Sequence, residues 1–260
     1  MKRRLNNIFA RDGKSVVLAI DHGSSLNVLP AMKNPKEIIE KCVAGGIDAV
    51  LTTVGIATTF QEELGNLGII LRADGGTSQL AKSRDVSMDI IQTVETAIRI
   101  GADSMLCMGF PGASNEAVTL KGLAKLVNEA NKWNLPIGAE MLPRGFEPAE
   151  DSRTPENLTF ACRIGVELGA DYIKTDYTGD KESFKELVDS CYKPVLVLGG
   201  NAAKGERELL EMIKDSMDAG AKGIIIGRNI WRHPHPDRLC KAVSAIVHEN
   251  IEVEEALKFI

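Results

Sequence analysis

"ELGADYIKTDY", residues 167–177, carries the pattern that decides the fold: a helical stretch ends at a glycine, one short turn follows, and an apolar run begins. The same order recurs in "AGGIDAVLTTV" (44–54), "RIGADSMLCMGF" (99–110) and "DAGAKGIIIGR" (218–228). A helix stop, turn and strand repeated four times point to a chain built by alternation. Four further apolar runs lie between them: "KSVVLAID" (14–21), "LGIILRAD" (67–74), "LPIGAEML" (135–142) and "KPVLVLGG" (193–200). The sum is eight strands.

Helix-start signals separate these strands. Asn34-Pro35 with Glu37 predicts a capping-box-like entry, Thr154-Pro155 opens a second helix, and Asp180 precedes a third. Strand and helix alternate without a composition break or long linker, which predicts one domain over residues 1–260. Eight βα units in a chain of 260 residues match the size and count of an α/β protein of the (β/α)8 TIM-barrel class. No G-x-G-x-x-G follows an early strand, which disfavours an open doubly wound dinucleotide-binding sheet.

Composition narrows the function classes. At 44% hydrophobic and 26% charged residues the chain is an ordinary globular protein with enough apolar material for a sizeable core. A net charge of −5 argues against nucleic acid as a partner, because phosphate backbones demand a clustered basic face. The five cysteines are widely spaced without a C-x-x-C, and predict reduced core residues rather than disulfides or a zinc site. "MKRRLNNIFARDGK" lacks the apolar stretch of a signal peptide and no run approaches a membrane span, so the expected location is the cytoplasm, without a membrane partner.

In a barrel of this type the chemistry lies at the C-terminal ends of the strands. The polar residues expected there are Asp21 and His22, Arg72 and Asp74, Glu140, Lys174 and Asp176, and Arg228 with Asn229. "LGGNAA" and "IGRNIW" close the last two strands. Gly199, Gly200 and Gly227 there would let backbone N–H groups approach an anion and Arg228 would add charge, a common place for phosphate. Asp74, Gly75 and Gly76, in "DGGTS", read either as a second phosphate or hydroxyl subsite or as a tight turn.

Lys174 sits in the middle of an apolar strand. With a period of two, Tyr172, Lys174 and Asp176 share a face, which points the amine into the barrel, where burial disfavours its charged form. A neutral amine condenses with a ketone or aldehyde to a Schiff base, and the iminium serves as an electron sink for the neighbouring C–C bond. A structural ion pair with Asp21, Glu140 or Asp176 is the competing reading. His22 is read as ordering its loop. "HPHP" (233–236) is read as a turn rather than a metal pair, so no metal site is expected, and Trp231 as packing the barrel end or a neighbouring subunit.

The segments "AIDHG", "RIGADS", "LPRG", "YIKTDYTGD", "VLVLGG", "GRNIW" and "IVHENIEVEEAL" together resemble the DhnA-type class I aldolases, a family that includes archaeal-type fructose-1,6-bisphosphate aldolase and 2-amino-3,7-dideoxy-D-threo-hept-6-ulosonate synthase. The resemblance implies a Schiff-base aldolase acting on a phosphorylated sugar without a cofactor. Lys174 would be the Schiff-base lysine, Asp21 a carboxylate beside the reacting carbons, and Gly200 with Gly227-Arg228 the phosphate loops. It also implies a homo-oligomer, for which "VHENIEVEEALKFI" reads as an amphipathic contact helix. One position departs from the family: Leu142 stands where relatives carry a proton-transferring tyrosine before "PRG". Glu140, on the same strand face, is the nearest replacement, with Asp21 and His22 as others. Aldol transfer or a thiolase-like acyl transfer through the same lysine stays open, as does a non-catalytic sugar-phosphate binder.

Overall fold

In the computed structural model, residues 2–24, 32–78, 80, 88–147, 149–199 and 205–260 are described. Eight parallel strands close into a barrel: β1 (Ser15–Ala19), β2 (Ala49–Thr52), β3 (Gly68–Arg72), β4 (Ser104–Gly109), β5 (Ile137–Met141), β6 (Tyr172–Thr175), β7 (Val195–Leu198) and β8 (Gly223–Ile226). Each strand pairs with its sequence neighbours and β1 pairs with β8, Val16 opposite Ile224, so the sheet has no edge. All eight coincide with the apolar runs of the sequence. Among the described residues no helix is long and apolar enough to cross a membrane.

Alternation along each strand divides the apolar residues between two cores. Val17, Ala19, Ala49, Leu51, Ile70, Leu106, Tyr172, Leu196 and Ile225 fill the barrel, while their outward neighbours pack under the surrounding helices. Leu5, Ile8 and Phe9, on and just after the 3-10 helix Arg3–Asn7, plug the lower end. The Tyr172 ring meets Phe9 edge-on, and its hydroxyl lies 3.0 Å from Ser104 Oγ, which satisfies both buried polar groups.

Two of the expected helix entries are made as the sequence implies. Thr154 accepts a hydrogen bond from the Asn157 N–H and Asp180 from the Ser183 N–H. At Asn34 the side chain makes no capping bond, and the helix Pro35–Ala44 starts on its proline alone. The C-terminal stretch also departs from expectation. Instead of one amphipathic helix it is a π-helical turn (Ala245–Glu249), a left-handed Asn250, and the short turns Val253–Ala256 and Leu257–Phe259.

The repeated G-x-D before three strands has a role that sequence reading did not identify. Asp48 accepts the Val16 N–H at 2.7 Å, Asp103 the Ile69 N–H at 3.0 Å, and Asp171 the Ile137 N–H at 2.9 Å. Each aspartate before an even strand thus caps the start of the odd strand next to it. The same carboxylates hold the chain ends below the barrel: Asp171 binds Lys2 at 3.0 Å, Asp103 binds Asn7 at 2.7 Å, and Asp48 lies 3.0 Å from His248 Nε2.

His248 also lies 2.9 Å from Asp12, and its hydrogen bonds to Asp48 and Asp12 raise its pKa to about 8 against the opposing effect of burial. A folded-state value above the ordinary 6.5 stabilises the fold fully below pH 6.5, and the gain disappears as pH rises through about 8. We expect the unfolding free energy to fall by at most about 2 kcal/mol from this group between pH 6 and 9, at roughly 1.4 kcal/mol per pKa unit. Denaturant titrations of wild type and His248→Gln check this: the variant should lack that part of the pH dependence.

Candidate active site

The upper layer of the barrel holds a cluster of charge. Lys174 on β6 and Arg72 on β3 face Asp21, Asp74 and Glu140, and each of the five is at most 8% exposed. Lys174 Nζ is 2.7 Å from Glu140 Oε1. The two residues are register partners on adjacent strands, so pleat parity alone brings them together. Arg72 donates from Nε to Asp21 Oδ2 at 2.6 Å, from Nη2 to Glu140 Oε2 at 2.8 Å and from Nη1 to Asp74 Oδ1 at 3.3 Å. The other Asp74 oxygen accepts the Met108 N–H at 2.8 Å.

Burial penalises every carboxylate here, but the cations decide two of the three cases. Against that penalty, Arg72, His22 and Lys174 hold Asp21 down at about 2. Lys174 and Arg72 outweigh it at Glu140, which also lies below the ordinary range. At Asp74 burial wins and the carboxyl is raised, Glu140 adding to the effect.

The other expected residues divide. Asp176 lies beyond β6 and turns to Arg153, Nε to Oδ2 at 2.6 Å, rather than to Lys174. Arg153 in turn donates to the carbonyls of Pro143 and Gly145, which fixes the "PRG" loop over the mouth. Asp74 and Gly75 form a two-residue ladder with Asp89 and Ile90, and Gly76 turns the chain at φ 117. The Asp74 carboxylate is therefore a wall of the charge cluster. His22 Nδ1 is 3.5 Å from Asp21 Oδ1, and the ring stands edge-on to Trp231 at 5.5 Å. Burial lowers the His22 pKa.

Trp231 is internal and donates to the Ala19 carbonyl at 3.2 Å, so it packs the barrel end rather than a subunit contact. His233 lies 2.7 Å from Glu206 and its Nδ1 accepts the His235 N–H, which closes the turn expected there. No group of three or more metal-ligating side chains gathers among the described residues.

At the last two strands the glycines answer to packing. A Cβ on Gly227 would lie 2.5 Å from the Ala19 carbonyl oxygen and 2.6 Å from His22 Cε1; one on Gly199 would meet Asn229 Oδ1 at 2.6 Å. At Gly227 the clash is with backbone, so only glycine permits this approach to β1; at Gly199 side chains of Asn229 and Ile226 would have to shift. Arg228 follows Gly227 in the short helix Arg228–Trp231, half-buried and close enough to act on the His22 charge. Gly200 lies outside the described residues. Leu142, expected from the resemblance to stand in place of a tyrosine, packs with Phe110 and Met88 against Met108 and Leu198.

A lysine inside a barrel, hydrogen-bonded to a carboxylate that is itself held ionised, is equipped for imine formation and proton transfer. The profile of the DeoC/LacD family aldolases matches residues 15–233. The chain belongs to the DeoC/LacD family of aldolases. This aldolase is 36% identical to a 2-amino-3,7-dideoxy-D-threo-hept-6-ulosonate synthase of Halobacterium salinarum, over 98% of this chain and 94% of the relative. It is 34% identical to a class 1 fructose-bisphosphate aldolase of Thermoproteus tenax, over 96% and 95%. Among solved structures, a Schiff base-forming fructose-1,6-bisphosphate aldolase superposes with a TM-score of 0.86 at 32% identity, over 95% of this aldolase and 99% of that chain. The DhnA-type resemblance and the barrel class are thereby borne out.

Arg72 is the residue that sequence reading placed at the mouth without a role. The available signal was the alternate-strand rule of TIM barrels: Asp21 follows β1, Arg72 ends β3 and Glu140 lies on β5, and residues of alternate strands share a layer.

Proposed function

We propose that this aldolase is a class I enzyme that cleaves and forms a C–C bond of a phosphorylated ketose through a Schiff base on Lys174. Fructose 1,6-bisphosphate is the leading substrate, giving dihydroxyacetone phosphate and glyceraldehyde 3-phosphate. The observation that carries the reading is the 2.7 Å contact between Lys174 Nζ and Glu140 Oε1 inside the barrel. Lys174 passes a proton to Glu140 across that contact and attacks the ketone carbon. The carbinolamine loses water to give the iminium. A carboxylate then takes the C4 hydroxyl proton, the C3–C4 bond breaks, and its electron pair enters the iminium to give an enamine. Protonation of the enamine and hydrolysis release dihydroxyacetone phosphate and the free lysine.

Glu140 is assigned the proton transfers, and Asp21, ionised beside it, the orientation of substrate hydroxyls. Arg228 and the backbone N–H groups of Gly199, Gly200 and Gly227 are assigned the phosphate. The apolar setting of Leu142 favours a second reading, aldol or acyl transfer by the same lysine, because the side chain at this position carries no phenol. No cofactor is assigned. We further read the chain as one catalytic domain over residues 1–260, acting in the cytoplasm as a homo-oligomer. The exposed Phe160 and Tyr192, on and just after helices that pack together, support the last point.

Incubation with fructose 1,6-bisphosphate or dihydroxyacetone phosphate followed by borohydride should attach the substrate at Lys174, read by peptide mass spectrometry. Attachment at another lysine would sink the mechanism, and absence of any adduct would leave a binder. Product analysis with a panel of aldehydes separates sugar cleavage from transfer.

Arg228→Ala should raise KM for phosphorylated substrates about 10- to 100-fold, the loss of a charge-assisted contact worth roughly 1.5 to 3 kcal/mol. Steady-state kinetics with and without the substrate phosphate check it. Equal losses for both would make Arg228 structural.

A further inference from the structure

We propose that Arg72 is a positioning residue for the aldol reaction, a fork that fixes the rotamer and ionisation of Glu140 and Asp21 so that Glu140 presents one free-facing oxygen to Lys174. The proposal rests on the Schiff-base reading of Lys174 and adds a residue that does not touch the reacting carbons.

The guanidinium is shared among three strands' carboxylates, and it takes one oxygen from each: Oδ2 of Asp21, Oε2 of Glu140 and Oδ1 of Asp74. The remaining Glu140 oxygen is the one on Lys174 Nζ, and the remaining Asp21 oxygen faces His22. Asp74, just beyond β3 and anchored by the Met108 N–H, holds the third prong. Glu140 therefore cannot swing both oxygens onto Lys174 or turn away from it without breaking the contact to Arg72. A planar, rigid fork does this, whereas a lysine, a point charge on a flexible stem, cannot reach three carboxylates at once.

The charge count gives the second half of the role. Three buried carboxylates face two cations, and Arg72 is the cation that remains fixed when Lys174 turns from ammonium to neutral amine during attack. At that moment Glu140 must already be ionised to receive the proton. Arg72 supplies the positive charge that keeps it so, alongside the lowered values of Glu140 and Asp21 described above.

The test compares Arg72→Lys with Arg72→Met, and adds Arg72→Met/Asp74→Asn, which removes one carboxylate together with the cation and so protects folding. In folded Arg72→Met, or in the double variant if the single one does not fold, the acid limb of the kcat profile should move up by one pH unit or more. Its kcat should fall about 100- to 1000-fold with KM changed less than threefold, the scale of a general acid–base group disabled. Arg72→Lys should keep the acid limb near wild type and recover part of kcat, since the charge stays and the fork is lost. A 13C-carboxyl titration of Glu140 in the same variants reads the effect without turnover. It should show Glu140 protonating at higher pH in the methionine variants, whether or not Lys174 forms an imine. Failure of borohydride trapping in wild type would therefore overturn the Schiff-base reading, while an unmoved Glu140 titration and acid limb in the methionine variants would overturn the role of Arg72.

Discussion

Lys174→Met is expected to lower turnover on the order of 10⁴- to 10⁶-fold, the range seen when the nucleophile of a covalent enzyme is deleted. Methionine has similar length and no nitrogen, so the loss isolates the amine from the volume. Folding should survive, because Glu140 keeps its second partner: Arg72 Nη2 remains 2.8 Å from Oε2. A carboxylate left with no partner in this layer would cost about 3 to 5 kcal/mol, and the retained guanidinium brings the expected destabilisation to at most about 3. Steady-state assays of the purified variant, with its thermal unfolding midpoint measured in parallel, check both halves. Activity within tenfold of wild type in a folded variant would place the covalent step elsewhere.

The second large effect is expected at Glu140. Glu140→Gln keeps the shape and the hydrogen bonding to Arg72 and removes the proton acceptor, so kcat should fall about 10²- to 10⁴-fold. Borohydride trapping at Lys174 should persist in this variant but form more slowly, because solvent or substrate must take the amine proton that Glu140 takes in the wild type. Loss of turnover with slowed but retained trapping assigns Glu140 to proton transfer both at imine formation and in the steps after it. A kcat unchanged in Glu140→Gln would transfer the proton work to Asp21, His22 or the substrate phosphate. Restoring a phenol by Leu142→Tyr is the less informative experiment: Leu142 is enclosed by Phe110 and Met88, and enlarging it there costs about 1 to 3 kcal/mol.

The barrel was legible because its signals are local. A glycine that stops a helix, a short turn and an apolar run repeat four times, and each can be read within about ten residues. The pairing of Lys174 with Glu140 was also legible in outline, since both lie on the inward parity of their strands. What failed to show was anything that depends on closure. Arg72 meets Asp21 and Glu140 only after β1, β3 and β5 have been brought into one layer of a closed sheet, across 51 and 68 residues of sequence. The floor aspartates were hidden for the same reason: Asp48, Asp103 and Asp171 look like turn residues until the neighbouring strand is placed beside them. The C-terminal segment misled in the opposite direction. Its apolar spacing is helical, but Asn250 at φ 57 breaks it, and the chain then runs along the helix Glu206–Asp218, where Glu254 meets Arg207. At Gly227 the sequence pointed to anion binding and at Leu142 to a missing proton-transferring phenol, while packing against the Ala19 carbonyl and Phe110 supplies an equally physical reason for each residue.

The three floor aspartates place the work of holding the barrel shut at the end opposite the chemistry. Each closes its own two-strand unit through one backbone N–H, and with its second contact secures one end of the chain. A lineage using this scaffold is then free to exchange whole mouth loops, and with them substrates, while the closure at the base is inherited unchanged. The chain termini gain the opposite status: Lys2, Asn7 and His248 are fittings of the base, and a fusion partner or a truncation at either end acts on the frame of the enzyme rather than on its chemistry.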